Sequence, residues 1–374
     1  MTSTTEPPRA NGTTRMTTAI LPTVLITGGL GFIGTKIIDR IKHTHRILVV
    51  DNLHSQVHQD RRRVDELPRS VTLIEGDVTN VSVLTEAAEF APEVVIHLAA
   101  ETGTGQSLRE SRRHAEVNVT GTATLLDALS AREYFPRRVI VPSSRAVYGE
   151  GMWTDAATGE AVYASARKAP QLAAGDWTPL GRKGERLATP VAHNAASVEP
   201  RPANVYAATK LAQEHIAQAW CTAFEVPLTI LRLQNVYGDG QSVANPYTGV
   251  LTFMARQALS CQPISVFEGG GIVRDFVDVE DVADAIVASM HYPNNNLRAD
   301  IGSGRPTTLL AVAELLSELA GSAQPVTSAE FRLGDVRAAS ANIAVAQREL
   351  GFEPSQTLAA GLESLLAWVD REQN

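Results

Sequence analysis

Between residues 23 and 142, short aliphatic and β-branched runs alternate with stretches whose apolar positions recur every three or four residues. The runs predict strands at 23–27, 46–50, 71–75, 94–98 and 138–142, and the helical spacing predicts helices at 32–43, 81–89 and 115–132. Strand and helix in alternation imply βαβ units and a parallel sheet, an α/β architecture. Farther along, an amphipathic helix covers 206–223, and a strand and helix follow at 273–290. A larger domain is expected over 22–232, carrying an insertion at 151–200 and rejoined by 273–297. A smaller, discontinuous domain takes 233–272 and 298–370. Residues 1–21 are rich in Thr, Pro, Ser and Asn without an apolar core. They read as a disordered leader rather than a signal peptide, with Met16 a candidate start.

Composition narrows the class. With 44% hydrophobic residues the chain has ample material for a core. The formal charge of −8, with basic residues scattered in pairs, argues against a nucleic-acid partner. No apolar run approaches the roughly eighteen residues of a membrane span. Cys221 and Cys261 are the only cysteines, which gives neither a disulfide framework nor a metal knuckle and suits a reducing cytosol. His43, His45, His54 and His58 lie on surface-like segments without ligand spacing, so they read as solvated and no metal is expected. Arg61-Arg62-Arg63 likewise reads as a solvated face.

The first strand breaks into Gly28-Gly29-Leu30-Gly31-Phe32-Ile33-Gly34. Gly28 permits a sharp turn, Gly31 a close approach of backbone N–H groups to a pyrophosphate, and Gly34 the packing of the new helix on the sheet. This is the dinucleotide turn of a Rossmann-type doubly wound fold. The second strand ends in Asp51, followed by Asn52, Leu53 and His54. A carboxylate there accepts from both ribose hydroxyls and repels a 2′-phosphate, which points to NAD rather than NADP. Asp77, in Gly76-Asp77-Val78, stands at a strand end as an acceptor for the adenine amino group or as a helix cap. His97 reads as a packed core residue, and Leu98-Ala99-Ala100 lets backbone lie close to the cofactor.

Strand 138–142 runs into Ser143-Ser144-Arg145-Ala146-Val147-Tyr148-Gly149, and Tyr206 and Lys210 stand four apart at the start of a helix. That spacing places phenol and ammonium on one helical face, where the cation favours a phenolate. With Asn118-Val119-Thr120-Gly121-Thr122, Leu231-Arg232, Asn235-Val236-Tyr237-Gly238, Arg274-Asp275-Phe276-Val277 and Gly302-Ser303-Gly304, these motifs make residues 22–365 resemble the extended short-chain dehydrogenase/reductase family. The resemblance is to its NAD-dependent nucleotide-sugar epimerases and dehydratases. A closer likeness, through Ala100-Glu101-Thr102-Gly103-Thr104-Gly105-Gln106-Ser107, Tyr148-Gly149-Glu150-Gly151 and Gly240-Gln241-Ser242 with Asn245-Pro246-Tyr247, is to the dTDP-L-rhamnose 4-epimerase subgroup.

The resemblance implies that Tyr206 is the general base, that Lys210 depresses its pKa and holds the nicotinamide ribose, and that Ser144 hydrogen-bonds the reacting oxygen. It places NAD on Gly28, Gly31, Phe32, Ile33, Gly34, Asp51, Asn52, Asp77, Val78, Leu98, Ala99, Ala100 and Asn118 as well as Tyr206 and Lys210. A nucleoside-diphosphate sugar would meet Glu101, Thr102, Ser144, Arg145, Asn235, Gln241, Tyr247, Thr252, Arg274 and Arg332. Dehydratases of the family carry an Asp-Glu pair after the Ser/Thr, whereas Arg145 and Ala146 stand there here. Dehydration thus lacks its acid and base, and decarboxylation is disfavoured for a similar reason. A 4-epimerase that recycles NAD is expected first, with a 4-ketoreductase as the alternative; the intact Ser144, Tyr206 and Lys210 argue against a silent NAD sensor. Relatives of the closer subgroup carry Cys-rich ends on the insertion, which residues 151–200 lack, so an ordered flap is expected rather than a zinc knuckle. Arg145 could reach this flap or the substrate. The helices at 115–132 and 206–223 match those that pair across a homodimer in this family.

Overall fold

The protein is described by a computed structural model covering residues 21–132, 134–243, 245 and 249–373. Tyr247 and nearly all of the expected leader lie outside the described residues. Seven parallel strands form the main sheet: β1 (Thr23–Thr27), β2 (Arg46–Asp51), β3 (Val71–Glu75), β4 (Val94–His97), β5 (Arg138–Ser144), β6 (Leu228–Leu233) and β7 (Leu297–Ile301), in the order β7-β6-β5-β4-β1-β2-β3. Register is set by pairs such as Ile26 with Val49 on one side and with Ile96 on the other.

Alternation along β1 divides the core. Val24 and Ile26 join Ile37 and Ile41 of α1 (Phe32–Ile41) and Val282 and Ile286 of a helix over Val279–Met290. Leu25 faces the other way, onto Leu84 of α2 (Val81–Glu89), Leu125 and Leu129, and Cys221 of the long helix Val205–Ala223. Both sheet faces are therefore dry, and each such fully buried aliphatic side chain contributes about 1.5–3 kcal/mol. The helix expected at 115–132 begins earlier, at Ser111, because its polar first turn Ser111-Arg112-Arg113 hides the apolar period. It also carries a π turn at Glu116–Thr120 before continuing over Gly121–Ser130.

A second core gathers Tyr237, Leu251, Phe276, Val312 and Leu362 beneath helices Val250–Leu259, Leu309–Ala320 and Leu358–Gln373. The main sheet reaches past the boundary expected at 297, since β7 ends at Ile301 and both Ala346 and Phe352 pack in the main core. The insertion is a three-stranded antiparallel sheet of Met152–Asp155, Ala161–Tyr163 and Leu187–Pro190. Trp153 and Leu187 bury against Ala338 of the C-terminal part. A buried ion network completes the fastening: Arg167 reaches Glu150 at 2.7 Å and Glu268 at 2.6 Å, and Arg337 also meets Glu268 at 3.1 Å.

Candidate active site

Sheet order reverses at β1, which lies between β2 and β4, and a cleft opens at the carboxyl ends of these strands. Gly28 has φ +68, and its N–H donates to Val50 O at 2.7 Å. A Cβ there would stand 2.8 Å from Ala99 N, so only glycine allows the loop to pass the β4 end. Gly31 caps α1, and a Cβ at Gly34 would overlap the Gly29 carbonyl. Phe32 and Ile33 contribute backbone, since Ile33 packs on the main core and the Phe32 ring lies beside Gly240. Their N–H groups, in the first turn of α1, lack intrahelical acceptors and fit an anionic pyrophosphate. Gly28→Ala is expected to yield folded protein stripped of dinucleotide, checked by the nucleotide released on denaturing the purified enzyme.

Asp51 is 7% exposed and lines the cleft, accepting from Leu30 N and Leu53 N at 3.0 Å each. Asp77 lines it too, taking Thr79 N at 2.9 Å on one oxygen and Asn52 Nδ2 at 2.8 Å on the other. It is not the helix cap, because Asn80 accepts from Ser82 N at 2.9 Å and caps α2. Val78, Leu98, Ala99, Ala100, Glu101 and Thr102 complete the floor. Asn118 is wholly buried and outside this lining: its amide holds Glu101 N at 2.7 Å and Thr209 Oγ1 at 3.0 Å, which positions the floor. His97 is the packed residue expected, clamped by Thr27 at 2.6 Å and Thr122 at 2.9 Å, and burial pushes its pKa down to about 3.

Three expectations are corrected. His54 and His58 are not solvated: both line the cleft, His58 Nε2 standing 3.4 Å from Asp51. His45 is buried at the opposite end, 5% exposed. Arg63 leaves the exposed company of Arg61 and Arg62 to donate to Leu30 O at 2.6 Å and Gly240 O at 2.5 Å. The loop bearing His54 arches over the cleft. Gln56 Nε2 donates to Gln106 Oε1 at 3.0 Å and to Asn245 Oδ1 at 3.2 Å, and Arg113 joins His54 at 3.1 Å to Glu101 at 2.6 Å. Arg113 and this loop are site residues the sequence reading missed; polar side chains without periodicity gave no signal.

Beyond the cleft floor stand the residues of the expected reaction centre. Ser144 ends β5 and caps the following turn by accepting from Ala146 N at 3.1 Å. Tyr206 opens the helix Val205–Ala223, whose cap is Asn204, accepting from Ala207 N at 2.9 Å. Burial raises the Tyr206 pKa, while the Ser144 hydroxyl and the Arg145 charge oppose that rise. Lys210, 3% exposed, donates to Gln213 Oε1, and burial lowers its pKa to about 8 against the pull of Glu214. Lys210 follows Tyr206 by one helical turn, with its ammonium bonded to Gln213 within the same helix. Ser143 is structural, donating to Glu214 at 2.5 Å.

On the other wall, Arg274 pairs with Asp335 at 2.5 Å, and Arg145 Nε donates to Asn235 Oδ1 at 2.9 Å rather than to the insertion. Gln241 and Thr252 are buried against each other at 2.8 Å. Arg332 is exposed, its guanidinium 5.3 Å from the Phe267 ring centre. Asp335 is a residue the sequence reading passed over. No cluster of three or more His, Cys, Asp or Glu among the described residues could hold a metal ion.

A glycine-lined switch-point cleft with an acidic residue closing β2 defines a Rossmann-type dinucleotide enzyme. The NAD dependent epimerase/dehydratase family model matches residues 24–170 and 180–302. The dTDP-L-rhamnose 4-epimerase of Burkholderia thailandensis is 43% identical over 352 residues, covering 93% of this chain and 95% of that one. The UDP-glucose 4-epimerase of Mycolicibacterium smegmatis is 28% identical across 90% of this chain and 95% of its own. Among solved structures, the UDP-glucose 4-epimerase of Thermotoga maritima with UDP-glucose superimposes with a TM-score of 0.77 at 27% identity, covering 94% of this chain and all of that one. MoeE5 in complex with UDP-glucuronic acid and NAD follows with a TM-score of 0.70 at 26% identity, over 94% and 99% of the two chains. The chain belongs to the NAD dependent epimerase/dehydratase family, within the extended short-chain dehydrogenases/reductases, and NAD is its cofactor.

Proposed function

We propose that this NAD-dependent nucleotide-sugar 4-epimerase inverts C4 of a dTDP- or UDP-linked hexose or 6-deoxyhexose, with a dTDP-linked 6-deoxyhexose the first candidate. The observation that carries the reading is the meeting of the Ser144 hydroxyl, at the end of β5, with the Tyr206 phenol, at the start of the helix Val205–Ala223, with no carboxylate following Ser144 in the chain to expel water. The identity with a dTDP-L-rhamnose 4-epimerase supports the choice of nucleotide and sugar.

NAD, when bound, supplies a hydride acceptor and later a hydride donor. Tyr206 takes the C4 hydroxyl proton and gives it back after the 4-keto sugar has turned within the pocket. A phenol with the ordinary pKa near 10 is a weak base at neutral pH, so its ionised form must be favoured by its neighbours. Ser144 donates to the same sugar oxygen. Lys210, one helical turn on, would hold the nicotinamide ribose once its ammonium exchanges Gln213 for that partner. Gly28, Gly31, the first turn of α1 and Asp51 hold the dinucleotide, and Arg274 with Asn235 hold the substrate diphosphate. Arg332 is outside that set in this arrangement, and Asp335 enters it through Arg274.

We also place the enzyme in a reducing cytoplasm, in carbohydrate biosynthesis and as a homodimer through the helices 111–130 and 205–223. The free Cys221 and Cys261 and the absence, among described residues, of any helix long and apolar enough to cross a membrane agree with the first of these. Incubating dTDP-, UDP- and GDP-sugars with the enzyme and no added reductant is expected to yield the C4 epimer, read by NMR. Product that forms only when NADH or NADPH is supplied would replace this reading with a ketoreductase.

A further inference from the structure

Arg167 belongs to the insertion, between its strand Ala161–Tyr163 and a short helix at Ala169–Ala173, yet its side chain is 1% exposed and lies against the C-terminal part. All three of its nitrogens are engaged. Nε donates to Glu150 Oε1 at 2.7 Å, one terminal nitrogen to Glu268 Oε2 at 2.6 Å, and the other to the backbone carbonyl of Asp335 at 3.0 Å. Two residues on, Arg337 N donates to the second oxygen of Glu150 at 2.9 Å, and the Arg337 side chain shares Glu268 with Arg167. The backbone of Asp335–Arg337 is therefore gripped on both sides of Val336. What this grip carries is the Asp335 carboxylate, whose Oδ1 accepts from Val336 N at 2.9 Å and from Arg274 Nη2 at 2.5 Å. Arg274 is 3% exposed, and its other terminal nitrogen donates to the carbonyl of Val273 at 2.8 Å.

A guanidinium presents its donors in one rigid plane, so a fully engaged arginine fixes the direction of its partners as well as balancing their charge. Here the partners are two carboxylates and one carbonyl, and the carbonyl is that of the residue whose side chain holds Arg274. We propose that Arg167 is a positioning residue for nucleotide-sugar binding: through Asp335, the insertion sets where the Arg274 guanidinium stands to receive the substrate diphosphate. The inference rests on the reading that gives the diphosphate to Arg274, and it deepens that reading by giving the insertion a task in it. A grip that served only the fold would, when lost, loosen both ligands' sites alike. A positioning grip acts on one of them. The dinucleotide turn and the end of β2 are elements other than those Arg167 bonds, so retention of NAD is the internal control.

The test measures binding of dTDP and of UDP to NAD-loaded protein by calorimetry in Arg167→Met, Arg274→Ala and the double variant. Arg167→Met is expected to weaken the nucleotide by about tenfold, because a displaced binding group loses most of its contact, with NAD content within about twofold of the parent. The nucleotide-sugar KM should rise by the same factor while kcat holds. In the Arg274→Ala background, Arg167→Met is expected to have almost no further effect, since its route to the ligand is gone. Equal losses in the two backgrounds overturn the proposal. Unchanged affinity in Arg167→Met overturns it too, leaving that arginine a fastener only, and loss of NAD in step with the nucleotide overturns it in favour of a general loosening. Should Arg167→Met fail to fold, Arg167→Met with Glu150→Gln, which removes one charge of each sign, is measured in its place by the same criteria. An Arg274→Ala variant that binds nucleotide like the parent overturns the diphosphate assignment and this inference together. Because binding needs no turnover, absence of epimerisation would count against the proposed function and leave this result standing.

Discussion

Tyr206→Phe is expected to lower kcat by about a thousandfold or more while leaving NAD content and nucleotide affinity nearly unchanged. General acid–base groups contribute roughly 10²–10⁴ in rate, and here no second group stands ready to take the proton. Ser144 is an alcohol engaged in capping its own turn, and Lys210 is bonded within its helix. The substitution deletes one oxygen and keeps the ring, so the packing at the start of the helix Val205–Ala223 survives. Single-turnover assays on NAD-loaded protein, with nucleotide binding by calorimetry as the control, read both halves of the expectation. Activity within tenfold of the parent would take the base role away from this residue.

Glu214→Ala is expected to cost about 3–5 kcal/mol of stability, the largest loss of any single change at the site. Glu214 is wholly buried and accepts Arg232 through Nε at 2.9 Å and a terminal nitrogen at 2.7 Å, as well as Ser143 Oγ. Arg232, 1% exposed, lies with its guanidinium 4.8 Å from the Tyr148 ring centre, and Tyr148 in turn donates to Asp300 at 2.7 Å. Removing the carboxylate strands a guanidinium in the interior with no route to water. It also releases Ser143, the neighbour that sets where Ser144 emerges from β5, so kcat should fall together with the unfolding midpoint. Urea unfolding with NAD present measures the first effect; a loss under about 1 kcal/mol would show that Arg232 finds another partner.

The strands, the glycine turn and the Tyr206 helix were legible because each is written in local chemistry: period-two apolar runs, residues three apart at a tight turn, and two side chains one helical turn apart. Much of the site was not. Glu150, Arg167 and Glu268 meet only because the insertion folds back onto the C-terminal part, and nothing local to any of them announces the other two. Arg63 sits inside a run of three arginines, yet only it turns inward, toward carbonyls of Leu30 and Gly240 that come from opposite ends of the chain's order. Lys210 follows Tyr206 at the anticipated spacing, but Gln213, on the same face, decides where the ammonium points. Spacing on a helix fixes which residues are neighbours, while competition among neighbours fixes which of them bond. His54 and His58 show the same limit from the other direction, since a loop of polar residues looks solvated until a cleft lies beneath it.

That loop has one more effect. Gln56 exchanges amide hydrogen bonds with Gln106 and donates to Asn245, while its carbonyl takes Ser242 Oγ at 3.4 Å, so the bridge over the adenosine half is anchored on both lobes at once. Opening this bridge would part contacts that also tie the cleft to the segment carrying Ser242 and Asn245. A catalyst whose redox partner is renewed within every cycle loses nothing by that confinement, and the intermediate ketone is spared exchange with the surrounding pool of nucleotides.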